Sequence, residues 1–399
     1  MPRREHSLGA VLAGFRPVEL QPPLPQRWLL DHTAHLMAVS RCARDGLHDD
    51  RSFQLALDDV RKQVQRYGVS PEIIAQRQAT VLPAFEPGKV PEHALHGIFG
   101  SLREKPAGPG LDVRLARYRE LVDAYLAAHY PASLAPPDDL IHVSTTGYLL
   151  PSPVQRAVAA RGWSTVVTHS YHMGCYGAFP AVRTAVGLLA AGQLGDPPKT
   201  RVDLVHAEAA SLHLDPTLAT PGNLVTSTLF GDGFITYSAL TEAHARANGV
   251  HGLRVVAMHE SLIPDSAEDM KLTPGPHQFD MHLSLRVPIK IRDGILPFVR
   301  ELCRKGGRDF DAEREQFTFA IHAGGTKILQ VAAEALGVDL ARMEHGTRVL
   351  REHGNMASAT VPYIWNDVVN DARIAPGTPV ISASFGPGLT VTGALLEKI

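Results

Sequence analysis

Hydrophobic and polar positions change period along the chain, and the changes predict alternating helices and strands. A short apolar run at 8–15 precedes helical spacing over 28–43 and 53–67, the latter ending at Gly68. Ser70-Pro71-Glu72 has the form of a helix start, with serine at the cap and proline at the first turn. A loop at 105–110 leads to helical spacing over 113–129, and a second loop at 131–139 feeds the apolar run 140–144, which predicts a buried strand. Then come a strand over 163–168, a small-residue helix over 176–191, and strands over 201–206 and 234–240. The second half repeats the theme. Strands are expected over 253–259, 281–291, 317–322 and 380–385, and helices over 296–304, 326–336, 345–352 and 357–369. Phe230-Gly-Asp-Gly233 recurs 155 residues later as Phe385-Gly-Pro-Gly388. Such alternation favours layered α/β packing in two similar halves, 1–240 and 241–399, with the junction near 241–252.

Composition narrows the class without naming a function. Of 399 residues 44% are hydrophobic and 20% charged, which excludes a disordered chain. Thirty-nine basic against 41 acidic residues give a net charge of −2, so no nucleic-acid or membrane partner is expected. Three scattered cysteines (Cys42, Cys175 and Cys303) make no disulfide framework. With no signal-type apolar core after Met1, a soluble cytoplasmic protein is expected.

Three residues are candidates for chemistry. Cys175 follows His169-Ser-Tyr-His-Met-Gly174 at a strand-to-helix turn, where helix N–H groups favour a thiolate. A nucleophile and a small buried apolar residue both fit that placement. His322 closes a strand above Gly324-Gly325 and fits either a general base or a structural histidine. Asn355 in His353-Gly-Asn-Met-Ala-Ser358 reads by itself first as a turn or cap residue before a helix. His169, His172 and Cys175 should diverge across the glycine, and His32, His35 and Cys42 form only a loose cluster. No four-ligand set is completed, so no metal is expected.

Six segments in order carry a resemblance. Val143-Ser-Thr-Thr-Gly147, Met173-Gly-Cys-Tyr176, Leu229-Phe-Gly-Asp-Gly233, His322-Ala-Gly-Gly-Thr-Lys-Ile-Leu329, Gly354-Asn-Met-Ala-Ser-Ala359 and Phe385-Gly-Pro-Gly-Leu-Thr-Val391 resemble motifs of the type III polyketide synthases. That is the chalcone-synthase-like branch of the thiolase superfamily, whose ketoacyl-ACP synthase III group shares the Cys–His–Asn plan. The resemblance implies an α/β, thiolase-like five-layer αβαβα fold and decarboxylative Claisen condensation of acyl thioesters. It implies Cys175 as the acyl-accepting nucleophile, with His322 and Asn355 stabilising the enolate. Cys175 N–H and an amide of the Ser384–Gly386 turn would hold the second oxyanion. It further implies a homodimer with no cofactor, and substrates that are acyl and malonyl thioesters of CoA or acyl carrier protein.

The chain departs from the pattern at the pocket. The phenylalanine gates of the family would be replaced by Leu212 and His213 and by Met281, and Ser384 and Gly386 complete the expected substrate-binding set. Arg61, Lys62, Arg66 and Arg77 are candidates for the CoA phosphates, or else a solvated helix face. Two rival functions use the same fold: acyl transfer to oxygen or nitrogen without decarboxylation, and a non-catalytic carrier-binding subunit.

Overall fold

A computed structural model describes residues 9–82, 95, 97–131 and 134–399. Residue 8 of the expected 8–15 run and part of the 131–139 loop lie outside them. Thirteen strands form among the described residues: β1 Ala10–Val18, β2 Leu24–Pro25, β3 Gln76–Arg77, β4 Asp139–Ser144, β5 Val166–Tyr171, β6 Arg201–Glu208 and β7 Gly233–Thr241, then β8 Gly252–Leu262, β9 Met270–Pro274, β10 Phe279–Leu283, β11 Thr318–Ile321, β12 Pro379–Gly386 and β13 Thr390–Lys398. Nine of them make one sheet in the order β11-β12-β13-β8-β1-β7-β6-β4-β5.

That order is a palindrome about the β8–β1 seam. On one side β4 and β6 run parallel, and β6, β7 and β1 pair antiparallel. On the other, β11 and β12 run parallel, and β12, β13 and β8 pair antiparallel. Only β5 lacks a counterpart strand among the described residues. β1 joins β8 antiparallel, so the two halves share a continuous sheet.

Strand alternation then builds five layers. Ile141 and Val143 of β4, Ile235 and Tyr237 of β7, and Val380 of β12 face two central helices, Ala178–Gly192 and Thr360–Asn370. Leu140, Val205 and Phe234 face outward onto helix Leu111–His129. Ile381, Ala383 and Phe385 face outward onto helices Val287–Lys305 and Thr326–Leu336. Trp365 is fully buried between the layers, its ring edge-on to Phe179 and Tyr237 and its indole N–H donated to Ser382 Oγ at 2.9 Å.

Two expectations about elements fail for local reasons. The run 281–291 is not one strand: β10 ends at Leu283, and Pro288 sits in the first turn of helix Val287–Lys305, where its missing N–H costs nothing. Ser70-Pro71-Glu72 opens only a turn, in which Ile73 and Ile74 N–H donate to Ser70 O. The chain then enters β3, whose Arg77 is drawn into the interior.

Candidate active site

Both central helices start at the same end of the sheet, and the candidate residues lie at those starts. Cys175 occupies the 3₁₀ turn Gly174–Tyr176 just before helix Ala178–Gly192. Asn355 precedes the turn Ala357–Ala359 before helix Thr360–Asn370. Gly174 has φ +65°, and a Cβ there would come within 2.6 Å of Pro387. A Cβ on Gly386 would come within 2.0 Å of the Tyr176 ring. Glycine at both positions lets the 385–388 turn press against the cysteine loop. Ser384 Oγ donates to Cys175 C=O at 2.9 Å, which fixes that turn.

Asn355 is oriented by its oxygen. Oδ1 accepts from Ala357 N–H at 2.9 Å and from Thr360 Oγ1 at 3.3 Å. Cys175 Sγ lies 3.9 Å from Asn355 Nδ2 and 3.8 Å from Oδ1. With Oδ1 engaged, the free donor of the amide is the group offered to the sulfur side. His322 follows β11, its N–H donated to Ala383 O, one residue from Ser384. Neither imidazole nitrogen of His322 has a partner among the described residues, although the side chain is buried.

The electrostatics differ from the sequence expectation. Burial pushes the Cys175 thiol up to about 12. The Asn355 hydrogen bond opposes that rise, and the nearby Glu208 carboxylate adds to it. Desolvation therefore outweighs the backbone N–H contribution, which acts to lower this thiol, in the resting protein. Burial also holds His322 neutral, pushed down to about 3.

Glu208 escaped the sequence reading. It is fully buried at the end of β6 and accepts from Thr145 N–H, Thr146 N–H, Thr146 Oγ1 and Ser358 Oγ. Burial raises its pKa despite these donors. Asp232 of the first glycine motif similarly binds Thr80 and Ser211 through both backbone and hydroxyl groups. Phe230, read only as part of a turn, lines a cavity. Its flanking backbone is strapped to Asn355, with Gly231 N–H donating to Asn355 O and Asn355 N–H to Leu229 O, each at 3.0 Å. A bulky aromatic before a glycine pair was the available signal.

The cavity holds about 550 Å³ between helix Gln26–Asp45, helix Pro221–Leu229 and the β9–β10 hairpin. Phe230, Thr145 and Ala357, the last of them two residues from Asn355, are among its lining residues, whereas Cys175, His322 and Asn355 are not. Met281 and His213 line it. Leu212 does not: it is 1% exposed and packs in the outer core, because the turn Ala210–His213 points it inward while Arg114 takes its carbonyl. Arg77 is likewise no phosphate ligand. Its guanidinium is buried and donates to Gln26 Oε1, Ser227 O and Phe230 O. Arg61 pairs with Asp31 at 2.8 Å, while Lys62 and Arg66 are exposed. His169 binds Ser152 and His172 packs edge-on to Phe279, so neither gathers with Cys175. Glu344, His345 and Asp371 do converge, but Arg373 binds both carboxylates and Arg348 donates to His345, which makes an ion-pair network.

Comparison with known proteins matches this arrangement to a class. Residues 254–399 match the family described as chalcone and stilbene synthases, C-terminal domain. PKS-I from the brown alga Ectocarpus siliculosus superposes with TM-score 0.79 over 100% of both chains at 23% identity, so the fold is the thiolase-like fold of type III polyketide synthases. 1,3,6,8-Tetrahydroxynaphthalene synthase of Streptomyces coelicolor is 28% identical over 260 residues, 65% of this chain and 66% of its own length. Type III polyketide synthase C of Arabidopsis thaliana is 29% identical over 270 residues, 65% of this chain and 67% of its own length. The chain is similar to type III polyketide synthases over about two thirds of its length, and residues 254–399 carry the family match. The aligned stretch spans about two thirds of these relatives. Among the described residues no helix is long and apolar enough to cross a membrane.

Proposed function

We propose that the chain is a condensing synthase that loads an acyl group on Cys175 and extends it by decarboxylative Claisen condensation. Neutral His322 takes the thiol proton as sulfur attacks an acyl thioester, and the carrier thiol leaves with a proton. A malonyl thioester then loses carbon dioxide, and the electron pair of that bond forms an enolate. His322 and Asn355 Nδ2 donate to its oxygen, which is where negative charge develops. The enolate carbon attacks the acyl carbon, a C–C bond forms, and the bond to sulfur breaks. Ser384 and Gly386 set the turn beside the thioester. The halves 1–240 and 241–399 would supply nucleophile and enolate donors respectively. The substrates would be CoA or carrier-protein thioesters used without a cofactor by a cytoplasmic homodimer, whose mass light scattering would read.

The observation that carries this reading is the amide of Asn355, whose oxygen is held by two donors and whose Nδ2 lies 3.9 Å from the sulfur. Acyl transfer alone has no use for that donor. Release of labelled carbon dioxide from a malonyl thioester tests it. Asn355→Ala should keep Cys175 loading and lose about 10²–10³-fold in carbon dioxide release. Ester or amide formation with no carbon dioxide would favour the acyltransferase, and no Cys175 adduct at all would favour the carrier-binding subunit.

A further inference from the structure

His213 lines the cavity and makes two hydrogen bonds, both to backbone groups. Its Nδ1 accepts from Phe279 N–H at 3.1 Å, and its Nε2 meets Thr146 O at 2.7 Å. The partners are both backbone groups, so the roles are forced. An amide N–H can only donate and a carbonyl can only accept, so the proton sits on Nε2 and Nδ1 is bare. The ring also stacks on Phe279, with centroids 4.5 Å apart and planes 10° from parallel. Burial keeps it neutral, pushed down to about 4.

Each end of this bridge is anchored differently. Thr146 is fixed on the catalytic side, because its N–H and hydroxyl both donate to Glu208 and its hydroxyl accepts from Ala209 N–H. The turn that carries His213 is held by Arg114, which donates to the carbonyls of Leu212 and Leu214 on either side. Phe279 opens β10, whose Met281 pairs with Leu272 of β9, and Leu272, Met281 and Leu283 all line the cavity. The hairpin is otherwise tied through Pro276 O to Leu111 N–H, and through Gln278 to Asp215. Those ties hold its tip. His213 joins the strand that bears Met281 to the Thr145–Thr146 wall by hydrogen bonds, beside the ring contact of Phe279 with His172, whose N–H donates to Ser144 O.

We propose that His213 is a positioning residue for chain selection: as a two-ended strut between Thr146 and Phe279 it fixes the width of the acyl slot between the hairpin and the Thr145–Thr146 wall. This rests on the reading of the cavity as the acyl site, and it replaces the idea of His213 as a gate acting by bulk. A slot of fixed width admits a single unbranched alkyl chain and keeps water from its flanks. Without the strut the hairpin can move outward, water enters beside the chain, and each further methylene gains less.

The test uses S-alkyl pantetheine thioethers, butyl to dodecyl, which bind without reacting, with affinities read by calorimetry. In the wild type each added methylene should tighten binding about fourfold until the slot fills. In His213→Leu the increment should fall to less than about twofold, and hydrogen exchange at the Phe279 amide should accelerate at least about tenfold, as expected for a lost buried hydrogen bond. His213→Asn keeps an acceptor for Phe279, His213→Gln keeps a donor toward Thr146, and each should fall between wild type and Leu. A His213→Leu protein with wild-type increments overturns the strut, even if its melting temperature drops. If His213→Leu does not fold, wild-type increments in both amide variants overturn it equally. A wild type with no dependence on chain length also overturns it. Loss of carbon dioxide release with normal thioether binding would instead sink the condensing reaction and leave the strut standing.

Discussion

The two halves share a strand order but treat the histidines buried along corresponding strands of the sheet in opposite ways. In the first half, His142 of β4 has Tyr171 OH at Nδ1 (2.8 Å) and Tyr118 OH at Nε2 (3.2 Å). His206 of β6 has Ser358 Oγ at Nδ1 (3.1 Å) and Tyr237 OH at Nε2 (3.2 Å). In the second half, His322 ends the counterpart of β4 with both nitrogens bare. Burial pushes all three down to about 3, so ionisation does not tell them apart. Their partners do. An unpaired buried polar group costs about 1–3 kcal/mol, so a fold that satisfies two histidines and leaves the third bare has left donors free for something that arrives later.

The largest expected effect breaks this comparison on activity. His322→Leu should cut acyl loading of Cys175 by about 10²–10⁴-fold, the range of general acid–base catalysis, while the melting temperature holds or rises. Intact-mass analysis after exposure to an acyl thioester reads the adduct, and it should be absent in Cys175→Ala. Normal loading by His322→Leu would show that its bare nitrogens serve nothing in that step. A large stability loss would show that His322 is packing. Cys303 is a useful control. Burial pushes it up to about 12 as well, yet it lies inside helix Val287–Lys305 and should stay unmodified.

How far the sequence carried this picture depends on the range of the interactions involved. Strand and helix alternation reveals the layers because periodicity is local. The turn at Gly174 and the paired glycine motifs are local too, and they mark where the two central helices begin. The residues alone left Cys175, His322 and Asn355 each with a structural alternative, and only the ordered motifs linked them. What stayed hidden depends on distant partners. Arg77 reads as a surface cation until Ser227 and Phe230, some 150 residues away, claim its guanidinium. Glu208 reads as a polar strand end until Thr145, Thr146 and Ser358 close around it. Leu212 and His213 are neighbours, yet one enters the core and the other bridges two backbones. The raised thiol of Cys175 escaped for a related reason: desolvation is a property of everything packed around the site.

A smaller effect sharpens the comparison on stability. His206→Leu keeps the volume but leaves Tyr237 OH, which is fully buried, without its partner. Unfolding should become easier by about 1–3 kcal/mol, against little change for His322→Leu. Chemical denaturation at pH 7 compares them directly. Equal losses in the two variants would mean that the hydrogen bonds of His206 contribute nothing beyond packing.

The smallest effect lies in the pH dependence, and its sign follows from the shared burial. An unfolded chain protonates its histidines near pH 6.5, whereas folded His206 resists until about 3. Between those values the unfolded state binds more protons, so stability is fully present above about pH 6.5 and declines as the solution becomes more acidic. Each such histidine contributes a slope of at most about 1.4 kcal/mol per pH unit. His142 and His322 act in the same direction. The buried carboxylates Glu208 and Asp232 act in the other, since burial raises both and their share weakens as pH climbs through the carboxylate range. Replacing one histidine removes its share alone and leaves the carboxylate share common to both proteins. Melting temperatures at pH 5.5, 6 and 7 should therefore lose less with acid in His206→Leu and in His322→Leu alike than in the wild type. Parallel lines for wild type and His206→Leu would mean that His206 exchanges protons freely in the folded state, and that the satisfied histidines of the first half are not held neutral as their partners require.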